Sequence, residues 1–329
     1  MAFDLQSPEC RSAFVGGAVE ETTRRAMQAE IERLGSAGLV ARRGSIDVVL
    51  ARGSEIPALL REVGRQREIA FRAVGEGTGA EIDLDAFDPS YGQFIAWDRE
   101  REAVVGGYRV RATSIGRRWA SPQSLYSHTL FDYDAEWLRS LGPALELGRA
   151  FVAPDYQRSS WVLPLLWRSI GRWVSEHPRY RTLFGPVSLP ATMPDPVRRH
   201  IVSRFQAWLG DASLAAGVRA RIPFAGLSAV APRIDPASVG REALLDALAD
   251  EVARLAPEGR RLPVLLREYA KLGGVYVGFN LDPDFAQAVD ALVVVRLDRA
   301  PARSLRAYMG RTGAGDFARG RAESWSIAS

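Results

Sequence analysis

The chain has 329 residues, of which 47% are hydrophobic and 25% charged, a globular composition with room for one large domain or two modest ones. No window reaches 18 apolar residues, the first twenty carry Asp4, Glu9 and Arg11 without an apolar core, and Cys10 is the sole cysteine. These features exclude a membrane-spanning helix, a secretory leader, a disulfide framework and a thiolate metal site, and they fit a reducing cytoplasm. The net charge is +4, and Lys271 is the one lysine among 43 basic residues. That usage reads either as genomic base composition or as a surface for acidic partners such as phosphates, an acidic carrier protein or anionic lipid heads. With no long basic run and no aromatic-plus-glycine signature, a nucleic-acid module is excluded.

In chain order, residues 1–19 read as a loose arm. Residues 20–38 read as a helix closing at Gly35 or Gly38, and 46–52 (IDVVLAR) as a strand. Ser54 caps a helix over 55–74, whose polar set (Arg61, Glu62, Arg65, Arg67, Glu68, Arg72) reads by default as a solvated face. The Gly/Asp-rich loop 75–92 carries Glu76, Glu81, Asp83, Asp85 and Asp88. The EF-hand pattern of glycine and terminal glutamate is missing, so no metal site is expected. Residues 93–100 and 103–113 form a hairpin. The strand 145–152 runs through the loop 153–160 into a helix starting near Trp161, and another strand follows at 181–190. Helices are expected at 195–209, 241–256 and 263–274, and late strands at 275–280 and 291–297. The tail 311–329 is Gly- and Ser-rich and reads as flexible. The sum is an α/β fold, a mixed sheet with helices on its faces. The domain plan is an arm and helix over 1–44, one domain over 45–310 with an insertion at about 211–262, and the tail.

The strand–loop–helix at 145–176 (LELGRAFVAPDYQRSSWVLPLLWRSIGRWVSE) is a physical recipe for holding a phosphate. Unpaired amides at a helix start, and the helix dipole, favour an anion there. Its strand also carries Glu146 and Arg149 inside an apolar run, and buried charges are costly unless paired or used. The other catalytic signatures fail. There is no G-x-S-x-G elbow, Cys10 sits in the arm, and GEGTG follows a helix rather than a strand. His128 and Asp132 form a short H-x-x-x-D string, which keeps His128 as a candidate in the substrate site.

The run LREVGRQREIAFRAVGEGTG…IDLDAFDPSYGQFIAWD…VVGGYRV, followed by ELGRAFVAPDYQ…PLLWRSIGRWVSEHPRYRTLFGPVS and PVLLREYAKLGG…GFNLDPDF…DALVVV, resembles the N-acyltransferases of ornithine- and glycine-lipid synthesis, many of which carry the label haemolysin-like. The loop QRSSWV (157–162) lies where the GNAT superfamily carries its Q/R-x-x-G-x-G/A motif. The R-x-x-x-F-R helix, D-x-D-x-x-D loop, YR strand and E-L-x-R strand also resemble acyl-homoserine-lactone synthases.

The resemblance implies a GNAT-like, mostly antiparallel sheet flanked by helices, with a helical insertion before the last two strands. It implies transfer of a fatty acyl group from acyl carrier protein, or from acyl-CoA, to the amine of a small molecule. The acyl-phosphopantetheine or CoA thioester is then a co-substrate, with no covalently bound cofactor. By that resemblance Glu146 is the general base, although pairing with Arg149 or Arg109 across strands is an equally simple reading. Arg149 and Arg109 suit an acceptor carboxylate, and backbone amides near Phe151 suit the thioester carbonyl. Val152, Gln157, Arg158, Ser159, Ser160, Trp161 and Val162 would hold the donor phosphate. Glu68, Phe71, Arg72, Glu76, Asp83 and Asp85 would shape the acceptor end, or serve only as a helix–loop interface. Ser160 and Val162 replace the glycines of the general motif and limit close backbone approach, which favours a carrier-protein donor. A cytoplasmic protein follows, with the arginines and tryptophans allowing peripheral contact at the inner face of the membrane. The rivals are a lactone-type synthase or secondary-pathway acyltransferase, and a non-catalytic carrier- or membrane-binding protein on the same fold.

Overall fold

The computed structural model describes residues 21–226, 239–256 and 261–320; the arm 1–19 therefore lies outside the described residues. Helix α1 (Glu21–Gly38) leads into β1 (Leu39–Arg43) and β2 (Ile46–Arg52), and α2 spans Pro57–Val74. Pro57 starts α2 and Gly75, in a left-handed conformation, ends it; no side chain caps its start, so Ser54 does not play the expected role. The hairpin β3 (Gly92–Asp98) and β4 (Ala103–Ala112) is followed by a short helix at 127–130 and by α3 (Ala135–Ser140). Then come β5 (Ala144–Val152), α4 (Val162–Glu176), β6 (Thr182–Leu189), α5 (Asp195–Leu209), α6 (Arg241–Leu255) and α7 (Val264–Lys271). The chain continues through β7 (Val275–Asp282), β8 (Ala288–Arg296) and α8 (Ala302–Arg319).

The sheet runs β1-β2-β3-β4-β5-β6-β8-β7 and is antiparallel throughout, except where β5 meets β6. This is the mixed, mostly antiparallel sheet flanked by helices that the sequence leads one to expect. Period-two alternation divides the side chains of each strand between the two faces of the sheet. Leu145 and Leu147 of β5 join Leu166 and Ile170 of α4, and helices α5, α6 and α7, on one face. Met27 of α1, Leu59 and Val63 of α2, and Phe151 and Phe285 pack on the other.

Three expectations change. Strand β1 pairs with β2 across a tight turn, so the boundary at residue 44 cuts a hairpin. Within the 211–262 insertion, α6 buries Leu244, Leu245, Leu248 and Val252 in the main core. Residues 311–319 are helical rather than flexible: α8 packs along α4, burying Met309 and Phe317, a tertiary contact that overrides the low helix propensity of its glycines. Among the described residues no helix is long and apolar enough to cross a membrane.

Candidate functional site

Strands β5 and β6 pair only over Ala144–Thr182, Leu145–Leu183 and Glu146–Phe184. Beyond that point they part. Arg149 adopts a left-handed backbone (φ 52°), and the register of β4 on β5 slips between Gly107 and Arg109. A bulge at this position re-aims a side chain and ends the ladder. A cavity of about 380 Å³ fills the resulting gap, a size typical of small-ligand sites. Toward the α2 face its walls are Phe71, Glu76, Tyr126, Arg149, Phe285 and Asp290. Toward the α4 face they are Tyr108, Ala150, Val187, Pro263, Val264 and Leu265. The cavity thus runs through the sheet, charged at one mouth and largely apolar at the other, with Arg261 on its rim.

Behind the charged mouth lies an ionic network of buried groups. Arg67 donates to both carboxylate oxygens of Asp88 (3.0 and 2.8 Å) and to Asp83 (2.8 Å). Arg109 donates to Asp85 at 2.8 and 2.7 Å and lies 3.2 Å from Asp88. Burial opposes ionisation of Asp88, but Arg67 and Arg109 overcome it and hold its carboxyl well below the usual range. Arg149 makes looser ion pairs, 3.5 Å to Asp85 and 3.7 Å to Asp83, and its buried Nε has no partner among the described residues. Its guanidinium lies between the rings of Tyr126 (4.8 Å) and Phe285 (5.0 Å), an arrangement that orients a cation while leaving donors unspent.

Glu146 does not line the cavity. It is 2% exposed and points to the α2 face, where Tyr91 Oη donates to it. The Ser127 amide donates to Oε1 at 2.6 Å, and the Tyr126 amide donates to Tyr91 Oη at 2.8 Å. These bonds fix the short helix at 127–130 and with it Tyr126, which roofs both Arg109 and Arg149. Glu146 thus holds these donors and lies away from the cavity that Arg149 lines.

His128 is not in the site either. It lies in an open groove with Asp132 (3.9 Å) and Arg221 (3.2 Å). Burial and Arg221 lower its pKa. Glu68 and Arg72 bind one another at 2.8 Å, and Glu68 accepts from the Thr78 and Gly79 amides; the pair shapes the loop that carries Glu76 without reaching the cavity. Arg109, Asp83 and Asp85 stand one layer behind Arg149.

The loop 153–161, expected from the sequence to take the donor phosphate, follows β5 directly. Phe151 is buried on the α2 face, and the Val152 carbonyl accepts from Gln157 Nε2 at 3.1 Å. Arg158 and Ser160 are exposed, and the buried Ser159 Oγ has no partner among the described residues. Trp161 carries the Arg43 guanidinium over its ring at 4.9 Å, and Val162 is the first residue of α4. Pro164 removes one donor from the first turn, so the anion-holding capacity rests on the remaining amides and the serine hydroxyls.

The parted β5–β6 pair thus lies beside a strand–loop–helix. Residues 66–168 match the acetyltransferase (GNAT) domain family. The matched segment runs from the second half of α2 to the start of α4 and contains the ionic network, the bulge and the loop 153–161. Two curated relatives are glycine N(alpha)-acyltransferases. That of Bacteroides thetaiotaomicron is 35% identical over 144 residues, covering 40% of this chain and 43% of its own length. That of Phocaeicola vulgatus is 33% identical over 149 residues, covering 40% of this chain and 44% of its own. The chain thus spans less than half the length of the curated relatives it matches. No solved structure matches it.

Arg67, Asp88, Tyr126, Phe285 and Asp290 were not singled out by sequence as site residues. Arg67 continues the Leu60–Val63–Phe71 stripe of α2, so a charge on an apolar helical face was a legible signal. Asp290 is likewise a lone acid in an apolar strand, AVDALVVVR. Tyr126 left no such signal.

Proposed function

We propose that this chain is an N-acyltransferase that moves a fatty acyl group from a thioester to the amine of a small amino acid, by direct attack within a ternary complex. The observation that carries it is the cavity through the parted strands: an apolar mouth for an acyl chain, a charged mouth with Arg149 for an acceptor carboxylate, and the donor loop beside both. The acceptor to test first is glycine, on the strength of the relatives' activity. Arg149, with Arg109 behind it, is the carboxylate clamp. Phe151 to Val162 hold the phosphate of the donor. The donor is acyl carrier protein rather than CoA. Arg43, Arg168 and Arg306 border an open groove along α4 and α8 that suits an acidic protein, and side chains at Ser160 and Val162 restrict the approach of a pyrophosphate.

The test incubates purified protein with long-chain acyl thioesters of carrier protein and of CoA, and with glycine and a panel of other amines, read by mass spectrometry. Expected is an N-acyl amino acid with the carrier-protein donor and at least a 100-fold loss on Arg149→Ala, the scale of a desolvated charge-assisted contact. Absence of thioester consumption with every donor and acceptor overturns the proposal.

A further inference from the structure

The α2 side of the cavity holds two carboxylates that the ionic network does not use. Asp290, on β8, is 3% exposed. Val289 and Ala291 on either side of it face the α4 core, so its side chain turns to the other face and into the cavity wall. Ser188 Oγ donates to its Oδ1 at 2.7 Å, while the buried Oδ2 has no hydrogen-bond partner. Glu76, on the loop just past α2, lines the same wall, and among the described residues no hydrogen bond or ion pair engages its carboxylate. A buried acceptor atom without a donor is costly; the neighbouring Asp282 carboxyl interacts with Asp290, but two ionised carboxylates bring no donor to one another, so in that state the missing donor belongs to whatever enters the cavity.

We propose that Asp290 and Glu76 hold the ammonium of an α-amino acid whose carboxylate lies on Arg149, and take its proton before it attacks the thioester; this rests on the acyl-transfer reading above. An ammonium offers three N–H donors and no acceptor, the complement of two acceptor-only groups. The acceptor spans from one positive group to two negative ones, which selects a zwitterion over a plain amine or a plain carboxylate. The steps balance. One proton passes from the ammonium to the carboxylate pair, and the freed nitrogen lone pair forms the C–N bond to the thioester carbonyl. The C–S bond breaks, and the leaving thiolate takes the second N–H proton from the tetrahedral adduct. The products are an amide, a thiol and one proton released to solvent.

The electrostatics suit a base that works near neutrality. Burial pushes the Asp290 carboxyl up to about 7, Asp282 of β7 adds to this, and Ser188 and Arg149 oppose it. Burial, with the charge of Asp290, pushes Glu76 up to about 8. The other charged or titratable groups facing the pair are Tyr126, above Arg149, and Arg261, on the cavity rim. Both carboxyls are neutral below these values and become bases above them, so the rate rises with pH through this range.

The experiment compares Asp290→Asn, Glu76→Gln and the double variant with the unmutated protein. It follows kcat/KM for glycine between pH 6 and 9, and calorimetric glycine and methylammonium binding in buffers of different ionisation enthalpy. Expected is a 10²–10⁴-fold loss for Asp290→Asn, loss of the acidic limb in the double variant, and proton release on glycine binding that the double variant lacks. Thermal melts confirm that the variants fold. If the double variant keeps the limb and stays within about threefold of the unmutated rate, the carboxylate pair is not the base. If the unmutated protein consumes no thioester but binds glycine with carboxylate-dependent proton release, acyl transfer falls and the amino-acid site stands. No glycine binding and no turnover overturn both.

Discussion

At the scale of single residues, hydrogen-bond satisfaction rather than burial separates the carboxylates that act as structure from those available for chemistry. Glu146 is deeply buried, but each of its oxygens accepts from a donor of its own protein. Asp290 is equally buried and keeps one oxygen bare. Glu146→Gln should therefore cost stability, about 1.5–3 kcal/mol for a charge-assisted bond in the interior. It should lower kcat through a misplaced Tyr126 without moving the acidic limb of the pH profile. Urea denaturation and the pH–rate curve check the two halves; a lost limb would return the role of base to Glu146. Asp290 predicts the opposite linkage. Its folded pKa is raised above its unfolded value, so its favourable contribution is full below pH 4 and fades as pH rises through about 7. Asp290→Asn should then be more stable than the unmutated protein at pH 8.5, by on the order of 4 kcal/mol, and no more stable at pH 4. Melting temperatures at the two pH values decide it.

At the scale of elements, helix α2 and the loop 75–91 act as one unit because Arg67 threads into the loop. It bonds Asp83 and Asp88, and Arg109 of β4 ties in Asp85. Removing one partner of such a buried pair strands the others, so Arg67→Met should destabilise the protein by about 3–5 kcal/mol. Limited proteolysis should then cut within 75–91 before any other described segment. An uncut loop and an unchanged melting temperature would mean that the network adds nothing. Most of the strands and helices of this half were legible from sequence, because period-two and helical spacing are local. The pairing of Arg67 with Asp88 was not, since the same residues read equally well as a solvated face until the fold brings the loop over the helix. Likewise α8 was unreadable from its Gly-rich sequence. It forms because α4 offers Trp167 to Tyr308 (5.1 Å) and because Gly171 lets the α8 backbone approach: a Cβ there would lie 2.5 Å from the Tyr308 carbonyl.

At the scale of the whole molecule, the parting of β5 and β6 turns a sheet into a wall with a passage. The close approach that sets the hinge is at Gly185, where a Cβ would lie 2.0 Å from the Leu147 carbonyl oxygen; beyond it the strands diverge. The two mouths then meet different partners. On the proposed reading the α2 mouth takes a zwitterion, and the α4 mouth takes an acyl chain against Ala150, Val187 and Leu265. Deeper on that side Tyr108 and Tyr269 share a hydrogen bond at 2.6 Å, and Trp167 packs on Tyr269. This division makes the apolar wall a ruler. Filling it with Ala150→Phe should leave short-chain donors nearly unaffected and exclude the far end of long ones. Each methylene left without a place forfeits about 0.8 kcal/mol, so a wall that displaces four should lower kcat/KM for a long-chain donor on the order of 100-fold. The measurement is the ratio of kcat/KM for long- and short-chain thioesters in the variant and the unmutated protein. An equal loss for all chain lengths would place the acyl group outside this passage, because a ruler changes the ratio and a general defect does not.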